Sequence, residues 1–389
     1  MAYLSVVGVG HGLDGRDAAM QAARKALDEL GTLQPVLALV FAAEEFEPSE
    51  VLAGLTSMLG DTPLWGMSTV RALAGEREEP RAVVVMVIAG NDLKAAVHWW
   101  PGYGADSQEA ARQAVRTLRS DLVLPQGALI AADGVQGNLL PLCSALADLP
   151  TRIGGCLASG GYAQGKTPLF ARAQTAPGAL AIATLGGRFR LSGGCGHGWR
   201  DSGLQVRFGK THDVWVDAIN DVSPADFYAE TFGHPAREWA YPPLNELVRL
   251  YPFGLQEYPA SPDFILRSPL RVEVNGSLRM NVPIEAGTTA QLTLGDPQAC
   301  LLAVEQAART ALSNLAPASP MAALAFVDVA WLSLFGIQAG QIPLALHEAL
   351  GNIPLAGAYT LGQVSQPVAG AVPRLLNQNI QIILLGYQA

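Results

Sequence analysis

One order of predicted elements occurs three times along the 389-residue chain. Each copy has a helical stretch, a short apolar stretch, a second helical stretch, a glycine-containing turn and another apolar stretch. The apolar stretches that precede the second helices are residues 36–41, 127–134 and 322–327, and the second helices are predicted at 48–59, 139–149 and 341–350. A repeat of about 70 to 90 residues indicates duplicated subdomains rather than a short-period solenoid.

Continuous apolar strands are typical of sheets that are buried on both faces, so we expect helices to cover the sheets. Such burial accounts for a composition in which 50% of the residues are hydrophobic and only 15% are charged. No stretch approaches the roughly 18 apolar residues that a membrane helix needs, so no membrane association is predicted. We therefore predict an α/β fold with two domains built from duplicated helix–strand–helix–strand–strand subdomains.

The pattern changes between the second and third copies, where short β-like stretches and turns replace the helical spacing. We expect a β-rich insert in this part of the chain. The domain boundary is predicted near residue 210, with a first domain at 1–210 that holds two copies. The second domain, at 211–389, would hold the insert and the third copy.

The net charge limits which partners the protein can bind, and the cysteine content indicates the cellular compartment. A net charge of -9 gives no basic surface for a nucleic-acid backbone, so nucleic acid is not an expected partner. The first residues lack the basic and apolar segments of a signal peptide. Four scattered cysteines are too few for a disulfide framework and are typical of reduced thiols. The sequence therefore predicts a cytoplasmic protein.

Three glycine-containing turns stand at matching positions, at residues 66–69, 154–161 and 357–363. Each turn follows a buried strand, where open α/β sheets bind ligands through backbone amides and small polar side chains. A shared ligand pocket and glycines that only permit close packing are both compatible with this pattern. The candidate ligand-binding residues in the turns are Ser68, Thr69, Gly155, Ser159, Tyr359, Thr360 and Gln363.

Two carboxylates end equivalent apolar strands, Asp133 in the second copy and Asp328 in the third. A carboxylate in this position either caps the next helix or contacts a ligand. Asn138 follows Asp133 closely and joins the candidate ligand-binding residues.

Two enzymatic hypotheses rest on incomplete motifs. Residues 10–15 spell G-x-G-x-x-G, as in dinucleotide-binding sites, but the next acid lies about 30 residues on rather than about 20. A helix N-terminus capped by Asp14 or Asp17 is the simpler explanation. Ser159 and Gly161 match half of a nucleophile elbow, whose first glycine is replaced by Leu157. We expect no enzyme, with a hydrolase or a nucleotide-binding enzyme as the alternative.

A thiol and an imidazole, Cys195 and His197, stand two residues apart in a glycine-rich segment. Zinc takes four ligands, and no second Cys/His pair has metal-ligand spacing, so no metal site is predicted. A haem needs only one axial histidine and an apolar pocket. His197 and His98 are the candidates for that alternative, and a hydrogen-bonded histidine at a sheet edge is the other interpretation of each.

The motifs taken in series resemble the FIST family over nearly the whole chain. They are residues 63–69 (P-L-W-G-M-S-T), Asp133-Gly134 with Asn138, residues 153–155 (I-G-G), His197-Gly198 with Gly203, residues 251–254 (Y-P-F-G), Arg267, Asn275-Gly276, residues 359–362 (Y-T-L-G) and Asn377. The resemblance implies a FIST N-terminal domain over about 30–210 and a FIST C-terminal domain over about 211–370.

The resemblance also implies a function: an intracellular sensory module that binds a small ligand, with amino acids as the ligands proposed for the family. It implies signal transduction through a separate partner, such as a sensor kinase, since the chain shows no effector domain. A subgroup of the family resembles haem-binding nitric-oxide sensors, so haem is the alternative to a protein without cofactors.

Several polar positions depart from the family pattern. Met67 stands where the family often has Cys, Asp328 where it has another Cys, and Gln363 where it has Glu. Either the ligand differs from the typical one or this chain has lost it. If a ligand is bound, we expect a pocket lined by the three turns, with Asp133, Asp328, Gln363 and Asn377 near it.

Overall fold

Short apolar stretches form strands and alanine-rich stretches form helices throughout the computed structural model, which describes residues 3–120, 126–147, 149–256 and 264–387. The first repeat contains β1 (Tyr3–Gly10), α1 (Gly15–Leu30), β2 (Pro35–Ala43), α2 (Pro48–Leu59), β3 (Leu64–Thr69), β4 (Ala72–Ala74), β5 (Arg77–Glu79) and β6 (Val83–Gly90). Asp14 caps α1, since its Oδ1 accepts a hydrogen bond from the Asp17 amide at 2.8 Å.

The second repeat has the same order of elements. It contains β7 (Leu93–Trp100), α3 (Ser107–Ser120), β8 (Gly127–Ala132), α4 (Leu140–Ala145), β9 (Arg152–Leu157), a 3₁₀ turn (Tyr162–Gln164), β10 (Leu169–Ala171), β11 (Gln174–Ala176) and β12 (Leu180–Gly187). Helix α4 is shorter than the predicted 139–149, of which residue 148 lies outside the described residues.

The third repeat is interrupted after its first strand, β13 (Phe189–Gly196). The insert contains β14 (Trp199–His212), β15 (Trp215–Ile219), α5 (Pro224–Phe232), α6 (Ala236–Trp239), α7 (Leu244–Leu247), a 3₁₀ turn (Val248–Leu250), β16 (Phe253–Gln256), β17 (Phe264–Arg267), β18 (Pro269–Val272), β19 (Leu278–Met280) and β20 (Thr289–Gly295). The repeat then resumes with α8 (Pro297–Leu315), β21 (Ser319–Asp328), α9 (Ala330–Phe335), a 3₁₀ turn (Gly336–Gln338), α10 (Gln341–Leu350), β22 (Leu355–Thr360), β23 (Gly362–Ser365), β24 (Arg374–Leu376) and β25 (Ile380–Tyr387).

The three repeats exchange hairpins. The first sheet has the order β1-β6-β2-β3-β10-β11, the second β7-β12-β8-β9-β23-β24, and the third β13-β25-β21-β22-β4-β5. Each sheet thus takes four strands from one repeat and a hairpin from another, and the three exchanges close a cycle. This arrangement is consistent with the predicted duplication, although the sequence did not reveal the exchange.

Both faces of the three sheets are buried, as the apolar strands predicted. In β2, Leu37 and Phe41 face a core shared with the other two sheets, whereas Ala38 and Val40 face α1 and α2. The second and third sheets alternate in the same way. The chain is therefore a mixed α/β protein whose sheets carry helices on one face and meet one another on the other face.

The insert builds a separate seven-stranded sheet of order β17-β16-β20-β14-β15-β19-β18. Its own core includes Phe208, Tyr228, Trp239 and Phe253, all buried. The predicted boundary near residue 210 lies within β14. The insert contacts loops at the ends of the second and third sheets, where Arg279 donates to the Val135 carbonyl and Gln378 donates to the Arg249 carbonyl.

Candidate functional site

The three glycine turns meet at one junction, the three-turn junction of Thr69, Ser159 and Tyr359. The hydroxyls of Thr69 and Ser159 both donate to the Tyr359 carbonyl, at 2.8 and 2.7 Å, and their oxygens lie 3.3 Å apart. Ser159 Oγ also accepts from the Val70 amide at 3.1 Å. We expected these hydroxyls to bind a ligand. They are buried, and their hydrogen bonds instead connect the three repeats.

The glycine at the centre of each turn is explained by close approach of two strands. An ideal Cβ on Gly155 would lie 2.0 Å from the carbonyl oxygen of Ile130 on the neighbouring strand. The equivalent glycines are in the same situation: Gly66 against Val40 at 2.1 Å, and Gly357 against Ala325 at 2.0 Å. Gly155 therefore lies within β9, where the packing interpretation accounts for it without a ligand.

The Asp133 carboxylate is used to hold loops. It accepts four backbone hydrogen bonds, from the amides of Val135 (2.8 Å), Gln136 (2.8 Å), Thr167 (3.1 Å) and Gly178 (2.7 Å). Asn138 acts similarly, since its Oδ1 accepts from the Leu140 amide at 3.0 Å. Such contacts satisfy most of the acceptor capacity of Asp133, which is only 2% exposed.

Asp328 occupies the equivalent position in the third repeat and has fewer partners. Its carboxylate accepts from the amides of Ala330 at 3.1 Å and Gln378 at 2.7 Å. Burial raises the pKa of Asp328 from its ordinary 3.8 to about 6, against the opposing effect of the two amides, Arg249 and Gln363.

We expect Asp328 to make the free energy of unfolding depend on pH between about 4 and 6. The folded state holds this proton more tightly than the unfolded chain, so stability falls as the pH rises through this range. The cost reaches about 3 kcal/mol above pH 6. Urea unfolding from pH 4 to 8 should show this slope in the wild type and not in Asp328→Asn, which cannot ionise. Parallel curves for the two proteins would contradict the assignment.

The remaining candidates lie buried beneath the insert. Gln363 Nε2 donates to Thr360 Oγ1 at 2.9 Å, and Asn377 Nδ2 donates to the Leu361 carbonyl at 3.1 Å. The amide oxygens of Gln363 and Asn377 have no hydrogen-bond partner within the described part of the chain. Both side chains are fully buried, so they contact protein rather than an open pocket.

Three equivalent positions decide which repeat has an accessible crevice. Ser68, Leu157 and Tyr359 each lie two residues after the glycine that approaches the neighbouring strand. Each residue is at the carboxyl end of a sheet, where α/β folds bind ligands. The three crevices that begin at these residues differ in what fills them.

The insert closes the second crevice. Residues Arg279, Met280 and Asn281 lie against Asp133 and Leu157, and the remaining cavity has a volume of about 20 Å³. This space suits about one water molecule. In the third crevice the side chain of Tyr359 is itself fully buried, and its hydroxyl donates to Glu78 of the β4–β5 hairpin.

The first crevice is open, with a volume of about 710 Å³. We call it the open crevice; it is lined by residues 44–49, Ser68, Gly160, Gly161, Gln164, Lys166, Pro168 and residues 175–177. Ser68 is 3% exposed, and its hydroxyl makes no hydrogen bond to any group in the described ranges. Thr175 Oγ1 is likewise buried without a partner there.

Glycine at position 160 keeps the Ser68 hydroxyl accessible. An ideal Cβ on Gly160 would lie 2.2 Å from Ser68 Oγ and would cover it. The Gly160 amide donates to the Ser68 carbonyl at 3.1 Å, and the Gly161 amide donates to Glu44 Oε2 at 2.7 Å. Sequence reasoning selected Ser68 but missed Lys166 and Thr175, which reach the first sheet only through the exchanged hairpin.

Two family models match the chain in tandem. The FIST N domain matches residues 36–221 and the FIST C domain matches residues 224–366. The chain belongs to the FIST family. FIST domains are associated with sensory and signalling roles. The resemblance found in the sequence motifs is thereby confirmed.

Curated relatives of this FIST protein match most of its length. An uncharacterized protein of Mycobacterium bovis is 26% identical over 383 residues, which cover 94% of each chain. An uncharacterized protein of Mycobacterium tuberculosis is 25% identical over 381 residues, which cover 94% of this chain and 95% of the relative. Both relatives are uncharacterized, so they identify no ligand.

Two solved structures show a distant likeness to the FIST chain. A cyanuric acid hydrolase from A. caulinodans is 8% identical with a TM-score of 0.38, and the match covers 100% of each chain. PurLQS from Thermotoga maritima is 10% identical with a TM-score of 0.25, covering 99% of this chain and 73% of that one. Neither likeness is close enough to support a functional argument.

The two histidines proposed for haem lie at different places in the fold. His98 lines a groove with both polar and apolar neighbours, Arg172 and Leu64 among them. Haem binding at either histidine stays a prediction. His197 Nδ1 accepts a hydrogen bond from the Trp199 amide at 3.3 Å, as expected for a structural histidine.

The described residues of this FIST protein contain no cluster of three or more His, Cys, Asp or Glu side chains that could hold a metal ion. Within the same residues, no helix is both long and apolar enough to cross a membrane.

The incomplete motifs of the enzymatic alternatives have structural explanations. An ideal Cβ on Gly10 would lie 1.9 Å from the Ala18 carbonyl oxygen, and one on Gly12 would lie 2.2 Å from the Ala18 amide. These glycines therefore allow β1 and its turn to pack on α1. Ser159 donates its proton to a carbonyl oxygen, which is not a general base.

Proposed function

We propose that this FIST protein is a sensor that binds a small molecule in the open crevice and reports occupancy to a separate signalling partner. One observation carries the proposal: of three equivalent crevices, the described residues fill two and leave the first open. The volume of about 710 Å³ is within the range of small-molecule sites. Ser68 supports it further, because its hydroxyl lines the crevice and has its hydrogen-bonding capacity available for a ligand.

The open crevice is well placed to influence the rest of the chain. Its walls come from two repeats, since Ser68 belongs to the first and Gly160 and Lys166 to the second. Ser159, which belongs to the three-turn junction, directly precedes Gly160. A ligand that moves Gly160 would therefore act on the junction where all three repeats meet. A sensor kinase or another signalling protein would read that change.

The proposal assigns no chemical step to the crevice. A serine nucleophile needs a general base within hydrogen-bond distance, and Ser68 Oγ hydrogen-bonds to no described group. All four cysteines are unpaired thiols, which supports a reducing, cytoplasmic setting as part of the proposal.

We expect Ser68→Leu to abolish ligand binding while leaving the fold intact, because Leu is the residue that the closed second crevice has at this position. Native mass spectrometry of the purified protein would first identify a co-purifying molecule, and thermal shift would measure its effect. A ligand at a hundred times its Kd stabilises a protein by about 2.7 kcal/mol, and this gain should disappear in the variant.

Ser57→Leu provides the matched control, since it places the same side chain on an exposed position of α2. It should keep the full ligand-dependent shift. A ligand whose thermal shift is the same in Ser68→Leu as in the wild type would show that the binding site is elsewhere.

A further inference from the structure

The charges around the open crevice are unbalanced. Three carboxylates, Glu44, Glu45 and Glu47, line it together with one ammonium group, Lys166. One carboxylate oxygen of Glu44 already has a partner, because Oε2 accepts a hydrogen bond from the Gly161 amide. Glu45 and Glu47 form no ion pair with the described residues. A crevice of this sign concentrates cations and repels anions.

The hydroxyls inside the crevice point to a ligand that forms hydrogen bonds. Ser68 Oγ and Thr175 Oγ1 both lack a partner among the described groups, and Ser68 is 3% exposed. A hydroxyl offers two lone pairs to a donor, and an ammonium group supplies three donors. This observation is independent of the acidic side chains: a hydroxyl can accept or donate, so it points to a hydrogen-bonding ligand, and the carboxylates favour an ammonium group among such ligands.

We propose that the open crevice binds a small organic amine, whose ammonium group lies among Glu45, Glu47 and the hydroxyls of Ser68 and Thr175. This inference rests on the crevice being the ligand site proposed above. The closed crevices lack these features, since Leu157 and Tyr359 replace the serine and the insert or the hairpin fills the space. The full chain is therefore expected to bind one amine per molecule.

Isothermal titration of the full chain with three four-carbon probes tests the charge class. We expect 1,4-diaminobutane to bind with a stoichiometry of one, and 1,4-butanediol and succinate to bind at least tenfold more weakly. Ser68→Leu should remove the binding of 1,4-diaminobutane. The double variant Glu45→Gln/Glu47→Gln should weaken it about tenfold, since each exposed charge pair is worth up to about fivefold.

Two controls separate the crevice from general acidity. Glu348→Gln removes an exposed carboxylate on α10 and should leave 1,4-diaminobutane binding unchanged. Lys166→Met removes the one cation of the crevice and should strengthen binding about threefold. Equal losses in Glu348→Gln and in the double variant would overturn the proposal.

The results also distinguish this inference from the proposed function. Binding of succinate or 1,4-butanediol that Ser68→Leu abolishes would overturn the amine assignment and leave the crevice as the ligand site. Failure of 1,4-diaminobutane to bind would likewise overturn the amine assignment, and the co-purification experiment with Ser68→Leu would still decide the site. Binding of 1,4-diaminobutane that persists in Ser68→Leu would overturn both.

Discussion

Replacing Asp133 by Ala should destabilise the protein by about 4 kcal/mol, among the largest losses expected of a single side chain here. The substitution leaves four buried or half-buried backbone amides without their acceptor, from three separate loops. Each amide would then be desolvated without compensation. Urea unfolding at pH 7 would measure the loss as a shift in midpoint.

Two variants make the Asp133 experiment specific. Asp28→Ala removes an exposed carboxylate from α1 and should change the free energy of unfolding by less than about 0.5 kcal/mol. Asp133→Asn keeps one acceptor oxygen but turns an amide donor toward the other two amides, so it should also destabilise strongly. A midpoint for Asp133→Ala within error of Asp28→Ala would show that the carboxylate is not structural.

Gly155→Ala is expected to have a comparably large effect, of about 3 kcal/mol or more, because the new Cβ would lie 2.0 Å from a backbone oxygen. The oxygen belongs to Ile130 in a paired strand, so it cannot move without opening the sheet. We expect little folded protein at 37 °C, measured by circular dichroism and by the yield of soluble chain.

Gly340→Ala is the matched control, since an added Cβ there meets nothing within 4 Å and the backbone is compatible with alanine. It should leave stability unchanged or raise it by up to about 1 kcal/mol. If Gly155→Ala were as stable as Gly340→Ala, the close approach of β8 and β9 would not be what requires glycine.

Local patterns in the sequence predicted the helices and buried strands of the repeats. Helices α2 and α10 cover the predicted ranges 48–59 and 341–350, because helical spacing and glycine C-caps are local signals. The pattern did not predict α5 in the insert, although Ser223 as N-cap and Pro224 at the first turn are recognisable signals.

Features that depend on pairing between distant residues could not be predicted from the sequence. Strands β4 and β5 have three residues each, too few to indicate that they join the third sheet. The hydroxyls of Thr69 and Ser159 were expected to contact a ligand, and only the fold shows that both donate to a carbonyl 200 or more residues away. The open crevice was missed as a whole because one wall comes from another repeat.

The hairpin exchange has a consequence during synthesis on the ribosome. The first sheet lacks β10 and β11 until residue 176 has been made, so β3 emerges with an unpaired edge. The β4–β5 hairpin stays unpaired for longer during synthesis, because its partner strand β22 begins only at Leu355. Unpaired edges of apolar strands favour aggregation, and nascent chains with such edges are typical clients of chaperones. A chain without the third repeat would keep the first sheet complete, but the second sheet would lack β23 and β24 at its edge, and the β4–β5 hairpin would have no strand to pair with.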